Sequence, residues 1–105
     1  MTPGTRHRAS LLFAALSHPM RLQIVDSLSE REMTVGEVAE AMGIGQSGAS
    51  QHLALLARAG VLKQTKRGVQ RLYRIRGPRI AKILDLIAEF CEVHGLYGEP
   101  GPDDE

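Results

Sequence analysis

One predicted helix, between Gln46 and Gly60, carries the side chains that most clearly suggest a chemistry. At ~100° per residue, Ala49, Leu53 and Leu56 fall on one side of it. The opposite side holds no carboxylate and consists of Ser47, Ser50, Gln51, Ala54 and Arg58. Short hydroxyl and amide groups such as these donate to phosphates and pair with base edges. The spacing therefore indicates a DNA-reading helix, with an ordinary amphipathic helix as the alternative.

The segment before this helix predicts a shorter helix over residues 35–42. Thr34 and Glu37 have the spacing of a capping box, which marks a helix start. Gly43 and Gly45 then predict a turn of about three residues, and Gly60 closes the longer helix. Two helices joined in this way form a helix-turn-helix, whose second helix enters the DNA major groove.

The charge distribution points to the same kind of ligand. Residues 41–84 contain nine Lys and Arg side chains and no Asp or Glu, although the net charge of the chain is only +1. Residues 1–40 hold four cations against five acids, and residues 85–105 hold seven acids and neither Lys nor Arg. A polarised basic block is typical of a surface that binds a polyanion, although a solvated charged face has the same composition.

A β-hairpin is predicted after Gly60, with strands over 61–66 and 70–75 and a turn at Arg67–Val69. A basic hairpin that follows a recognition helix is the wing of a winged helix, which lies along the DNA backbone or in the minor groove. For His52, we expect either a structural role or a phosphate contact. The complete predicted DNA-contacting set is Gln46, Ser47, Ser50, Gln51, His52, Arg58, Lys66, Arg67, Gln70 and Arg71.

The chain as a whole predicts one mainly α-helical domain with a small β-hairpin, in total about five helices plus the wing. We expect a disordered N-terminus over 1–7, a winged helix-turn-helix domain over 8–96 and an acidic disordered tail over 97–105. The first two helices are predicted at about 8–16 and 19–28. Their expected buried side chains are Leu11, Leu12, Ala15 and Leu16 in the first, and Leu22, Ile24 or Val25, and Leu28 in the second.

The last helix, from about Pro78 to His94, has a longer apolar stripe than a domain of this size needs for its core. Such a stripe predicts a partner, most simply a second copy of the chain. We therefore predict a homodimer. The expected interface consists of Leu12, Ile80, Ile83, Leu84, Ile87, Phe90 and Cys91.

Four segments together resemble the ArsR/SmtB family of bacterial winged-helix repressors, and the likeness extends over about residues 8–96. These segments are 16–25, 35–39, 46–56 and 59–62, and the most specific pattern is Ser-x-x-Ser-x-His-Leu at 47–53. The resemblance implies a homodimeric transcriptional regulator that binds a palindromic operator. In this family such a regulator is usually a repressor that an inducer releases.

The inducer is less well marked, because the family's usual sensor motifs are missing. Residues 35–42 contain no cysteine, and Asp85 is not followed by the histidine of the family's zinc pattern. The remaining candidates are Cys91 and His94, spaced (i, i+3), which suit nickel, zinc or cobalt. In such a site, further ligands would come from Asp85, Glu89, Glu92, His7 or His18. The alternative is that no metal binds, that Cys91 is a small buried hydrophobe and that His94 is a helix-end residue.

Other classes of protein find little support in the sequence. No apolar run approaches 18 residues, so we expect no membrane partner and a cytoplasmic location. No catalytic triad, phosphate-binding loop or carboxylate pair is recognisable, so we expect no enzyme. Two alternatives stay open: a DNA binder that has no small-molecule sensor or is regulated by a partner protein, and a winged helix used for protein–protein contact.

Overall fold

The computed structural model describes residues 1–93 and shows a winged helix-turn-helix architecture. The predicted mainly helical fold with one hairpin is confirmed. His94 and the predicted acidic tail lie outside the described residues. The described elements, in chain order, are α1 Pro3–Leu16, α2 Pro19–Glu30, β1 Met33–Thr34, α3 Val35–Met42, α4 Gln46–Arg58, β2 Leu62–Arg67, β3 Gln70–Ile75 and α5 Pro78–Val93.

Helix α1 begins five residues earlier than predicted. The Thr2 hydroxyl accepts a hydrogen bond from the Thr5 backbone N–H at 3.2 Å, and Pro3 occupies a first-turn position that needs no N–H partner. The prediction that residues 1–7 are disordered is therefore wrong for residues 3–7. Leu11 was also wrongly predicted, since it is 52% exposed, whereas Ala15 is buried.

The junction between α1 and α2 is fixed by side chains that bond to the backbone. The Nδ1 atom of His18 accepts a hydrogen bond from the Met20 N–H at 3.1 Å and so caps α2. The Arg21 guanidinium donates to the carbonyl oxygens of Ala14 and Ala15, which end α1. These bonds satisfy backbone groups that the two helix ends would otherwise leave unpaired.

The hydrophobic core lies between α2, α3, α4 and the sheet. Helix α2 extends to Glu30, two residues beyond its predicted end, and Leu22 is 41% exposed rather than buried. Within residues 1–93, no polar or charged side chain is buried, so apolar packing alone forms this core. Its largest fully buried side chains are Ile24, Val25, Val38, Leu53, Leu56, Val61 and Leu62.

The sheet has three antiparallel strands in the order β1-β3-β2, so the wing is anchored by a strand that the sequence did not reveal. Strand β1 pairs Met33 with Tyr73 and Thr34 with Leu72. Leu72 and Tyr73 are adjacent yet both buried, which means that protein covers both faces of β3 here. No helix within the described residues has the length and apolar character needed to cross a membrane.

Candidate nucleic-acid interface

The start of α3 is held by the predicted capping box. The Thr34 hydroxyl accepts the Glu37 N–H at 3.1 Å, and a Glu37 carboxylate oxygen accepts the Thr34 N–H at 2.9 Å. The second Glu37 oxygen accepts a hydrogen bond from Arg31 at 3.1 Å. The bonds to the Thr34 backbone and to Arg31 lower the pKa of Glu37, because they favour its charged form. The first helix of the motif therefore begins at a fixed residue.

A left-handed glycine sets the angle between α3 and α4. Gly43 has φ 68° and ψ 34°, a conformation that strains any residue with a Cβ atom. The N–H groups of Gly43 and Ile44 bond to the carbonyl oxygens of Glu40 and Ala39 at 3.3 and 3.0 Å. These bonds close α3, and the chain re-enters a helix immediately after Gly45.

Helix α4 has the two faces that its sequence predicts. Ala49, Leu53 and Leu56 are each 0% exposed and anchor the helix in the core. The five side chains of the opposite face are all exposed, so they are free to meet a ligand without unpacking the protein: Ser47, Ser50, Gln51, Ala54 and Arg58.

The N-terminus of α4 adds backbone donors to this face. Gly45 precedes the helix and supplies no side-chain cap, unlike Thr2, His18 and Thr34 at the starts of α1, α2 and α3. The first N–H groups of a helix without a side-chain cap suit a phosphate oxygen, which the helix dipole also favours. Gln46 is exposed at this end, beside Gly36 of α3.

His52 does not belong to the exposed face of α4. It is half-buried, and its ring lies 5.0 Å from that of His18, with an angle of 60° between the ring planes. The contact joins the middle of α4 to the cap of α2. Of the two roles expected for His52, this contact supports the structural one, and the phosphate contact stays a prediction.

The environment of His52 predicts a pH-dependent stability. Burial lowers the pKa of His52 below the ordinary 6.5, and the positive charges of His18 and Arg21 lower it further. The unfolded chain therefore takes up the proton more readily than the folded chain. The contribution of neutral His52 to the free energy of unfolding is therefore fully present above about pH 6.5. It is lost as the pH falls through the lowered pKa of His52.

Urea unfolding from pH 7.5 to 5 measures this effect. We expect the free energy of unfolding to fall toward pH 5, and to fall less steeply in His52→Gln. The matched control is His7→Gln on exposed α1, which should keep the wild-type slope. Equal slopes in wild type and His52→Gln would show that His52 does not cause the dependence.

The wing is a tight hairpin with a basic end. Arg67 still pairs with Gln70, so the loop contains only Gly68 and Val69 rather than the three residues predicted. Gly68 has φ 64°, which allows the sharp turn. Lys66, Gln70 and Arg71 are exposed, as a contact with DNA requires. Val69, which the sequence did not single out, is 98% exposed at the apex.

Arg67 is the one predicted wing contact that already has an anionic partner among the described residues. Its Nη2 atom donates to Oε1 of Glu32 at 2.9 Å. The two side chains are 74% and 34% exposed, so water reaches the pair. Since Glu32 lies 35 residues earlier in the chain, local spacing gave no sign of the contact.

Known proteins match both the sequence and this geometry. Residues 16–65 match a helix-turn-helix domain family. Nodulation protein NolR of Rhizobium meliloti is 45% identical over 92 residues, covering 87% of this chain and 70% of NolR. A homodimeric winged helix-turn-helix DNA-binding domain from Mycobacterium bovis, described as a possible ArsR-family transcriptional regulator, superimposes with a TM-score of 0.85. That match has 26% identity and covers 93% of this chain and 91% of the other.

The chain belongs to the ArsR family of winged helix-turn-helix transcriptional regulators. A biofilm growth-associated repressor of Xylella fastidiosa is 38% identical over 82 residues, which cover 76% of this chain and 71% of the repressor. The resemblance seen in the sequence is thereby confirmed.

Helix α5 of this ArsR-family chain divides its apolar side chains between two surfaces. Ile80 is buried in the protomer's own core, and Leu84 and Leu12 pack against that core. All three were predicted at the dimer interface. The prediction is wrong for Ile80, which the protomer buries itself, and it stays a prediction for the half-buried Leu12 and Leu84. The exposed apolar face consists of Ile83, Leu86, Phe90 and Val93, with half-buried Ile87 beside it; the sequence analysis did not include Leu86 and Val93.

The predicted metal ligands of this ArsR-family chain fall at the limit of the described region. Cys91 is exposed in the protomer, so it does not belong to the protomer's own core. Its predicted places at the dimer interface and as a metal ligand stay predictions. His94 lies outside the described residues. Up to Val93, no three His, Cys, Asp or Glu side chains are grouped so that they could hold a metal ion. His18 caps α2 through Nδ1 and faces His52, so it has a structural role.

Proposed function

We propose that this regulator binds a palindromic operator as a homodimer and represses transcription, with α4 in the major groove and the wing along the neighbouring backbone or minor groove. The carrying observation is the exposed, acid-free face of α4 beside a hairpin with a basic end. A protein–protein contact would have no need for this one-signed charge. A repressor role is supported by the Xylella relative, which carries that description.

The side chains of α4 divide by chemistry into base readers and phosphate binders. Gln51 has the amide geometry that pairs bidentately with adenine, and Ser47 and Ser50 bond to bases or phosphates over a short reach. Arg58, in the last turn, is suited to a phosphate. On the wing, Lys66 and Arg71 neutralise backbone charge, which fixes the position of the protein but carries no sequence information.

A twofold axis would extend this arrangement to a palindrome. Two α4 helices related by such an axis read half-sites one DNA turn, about 34 Å, apart. The exposed apolar face of α5 supports the dimer, because an apolar surface of this kind favours a partner of the same character. The homodimeric description of the Mycobacterium bovis domain supports the same assembly here.

Fluorescence anisotropy with DNA from upstream of the chain's own gene tests the proposal. We expect the upstream duplex to bind at least about 10³-fold more tightly than a shuffled duplex of equal composition at physiological salt. Both affinities should fall as salt rises, because Lys and Arg release counterions from DNA. Absence of binding to either duplex would instead favour the winged helix as a protein–protein module.

For the effector, we propose a borderline divalent metal, nickel, zinc or cobalt, with Cys91 and His94 among its ligands. The (i, i+3) spacing and the exposure of Cys91 support this assignment. Within residues 1–93 the ligand set is incomplete, so further ligands have to come from elsewhere in the chain or from a second subunit.

Metal titration into the DNA complex tests the effector. We expect nickel, zinc or cobalt to release the operator, and Cys91→Ser and His94→Ala to weaken that response at least about tenfold, since each removes a ligand. Arsenite should have little effect, because one cysteine per subunit cannot supply three thiolates. If no metal binds at micromolar concentration, the regulator without a small-molecule sensor is the better account.

A further inference from the structure

An acid from outside the basic block is folded against the wing. Residues 41–84 contain no Asp or Glu, and yet the Arg67 guanidinium on the wing lies 2.9 Å from the carboxylate of Glu32. Glu32 occupies the short connector between α2 and β1. The pairing of β1 with β3, the central strand of the sheet, brings this connector close to the hairpin.

We propose that Glu32 competes with DNA for Arg67 and so limits how tightly the wing holds any duplex. The inference rests on the proposed function. A guanidinium binds a carboxylate and a phosphate through the same N–H groups, so Arg67 has to leave Glu32 when it binds the DNA backbone. The pair is exposed to water, which keeps the cost of opening it low.

Glu32 has a second effect once Arg67 has moved to a phosphate. Its carboxylate then lies next to the polyanion without its partner, and the two negative charges repel each other. Both effects act through the DNA phosphate backbone, which is the same in every DNA sequence. Glu32 therefore weakens binding to operator and random DNA alike, and it leaves the discrimination between them to α4.

The neighbouring acids differ from Glu32 in ways that make it the specific candidate. Glu37 is bonded to Arg31 and to the Thr34 backbone, so it is held at the start of α3. Glu30 ends α2 and is exposed, two residues before Glu32. Glu30 therefore provides a matched control of equal charge on the same stretch of chain.

The experiment compares wild type, Glu32→Gln, Arg67→Gln, the double variant and Glu30→Gln on operator and shuffled duplexes over a salt series. Loss of one exposed ion pair corresponds to about two- to five-fold in affinity. We expect Glu32→Gln to bind both duplexes tighter by this factor, with an unchanged ratio between them. Arg67→Gln should weaken both and reduce the salt slope by about one. In the Arg67→Gln background, Glu32→Gln should give a smaller gain, and Glu30→Gln should bind as wild type does.

Any outcome that differs from these expectations overturns the inference. Weaker binding by Glu32→Gln would mean that Glu32 positions Arg67 for DNA, and unchanged binding would mean that the pair does not compete. If Glu32→Gln raised DNA affinity equally in the Arg67→Gln background, or if Glu30→Gln raised it as much, the effect would come from net charge alone. If wild type binds neither duplex, the proposed function fails as well; if wild type binds and Glu32→Gln does not bind tighter, only the inference fails. Melting curves for all variants confirm that they are folded.

Discussion

A glutamate in place of Leu86 is expected to turn the proposed homodimer into a monomer. Leu86 is 53% exposed in the protomer, so the protomer tolerates the change, whereas a dimer that uses this face would have to bury the new carboxylate. Burying an unpaired charge costs several kcal/mol. The dimer dissociation constant should therefore rise by more than about 100-fold. Sedimentation equilibrium at tens of micromolar protein measures the change.

The matched control places the same charge on another side of α5. Ala88 is exposed and lies on a side of the helix different from that of Leu86, so Ala88→Glu should stay dimeric. A monomeric Leu86→Glu should also lose most of its operator affinity, because it can no longer bind two half-sites at once. If the wild type sediments as a monomer, or if Leu86→Glu stays dimeric, this face of α5 is not the dimer interface.

Replacement of Gln51 by alanine should lower the discrimination between operator and shuffled DNA by about 1–3 kcal/mol. Gln51 is exposed on the polar face of α4, and its amide is the group best suited to a bidentate base contact. Affinity for shuffled DNA should barely change, since the phosphate contacts stay in place. Competition anisotropy with both duplexes gives the two affinities.

Gln23→Ala is the control for this variant, because Gln23 is an exposed glutamine on α2, outside the helix-turn-helix. It should leave both affinities unchanged. If Gln51→Ala instead weakened both duplexes equally, Gln51 would be a phosphate contact, and base reading would have to come from Ser47 or Ser50.

The parts of the structure that short-range physics determines could be predicted from the sequence. The capping box of α3 and the left-handed Gly43 act within four residues, so their spacing identified the motif. The burial of Leu53 and Leu56 followed from helical periodicity alone. The exposed polar face of α4 therefore follows from the sequence.

The start of α1 was not predicted, because the composition of residues 1–7 indicated disorder and the capping role of Thr2 was overlooked. Pro3 and Gly4 suggested disorder, but Thr2 caps a helix in which Pro3 takes the one position that suits it. Leu11 and Leu22 were predicted to be buried because they are apolar, yet periodicity shows only that a stripe exists and not how wide the covering surface is.

Contacts between distant segments were beyond sequence reasoning. Strand β1 has only two residues and exists because β3 is there to pair with it. The Glu32–Arg67 pair depends on that sheet, and the assignment of Ile80 to the protomer core depends on how α5 docks. These features follow from the tertiary fold, and no local pattern encodes them.

The most direct test of the central claim is to map the DNA-binding surface by NMR, titrating ¹⁵N-labelled protein with the upstream duplex. The account predicts that the largest amide shifts occur in residues 46–51 and 66–71, the start of α4 and the wing. The exposed face around Leu86 should change little, because we propose that it contacts the second subunit rather than DNA. Shifts concentrated on α5, with α4 and the wing unaffected, would contradict the claim that this chain reads DNA through its helix-turn-helix.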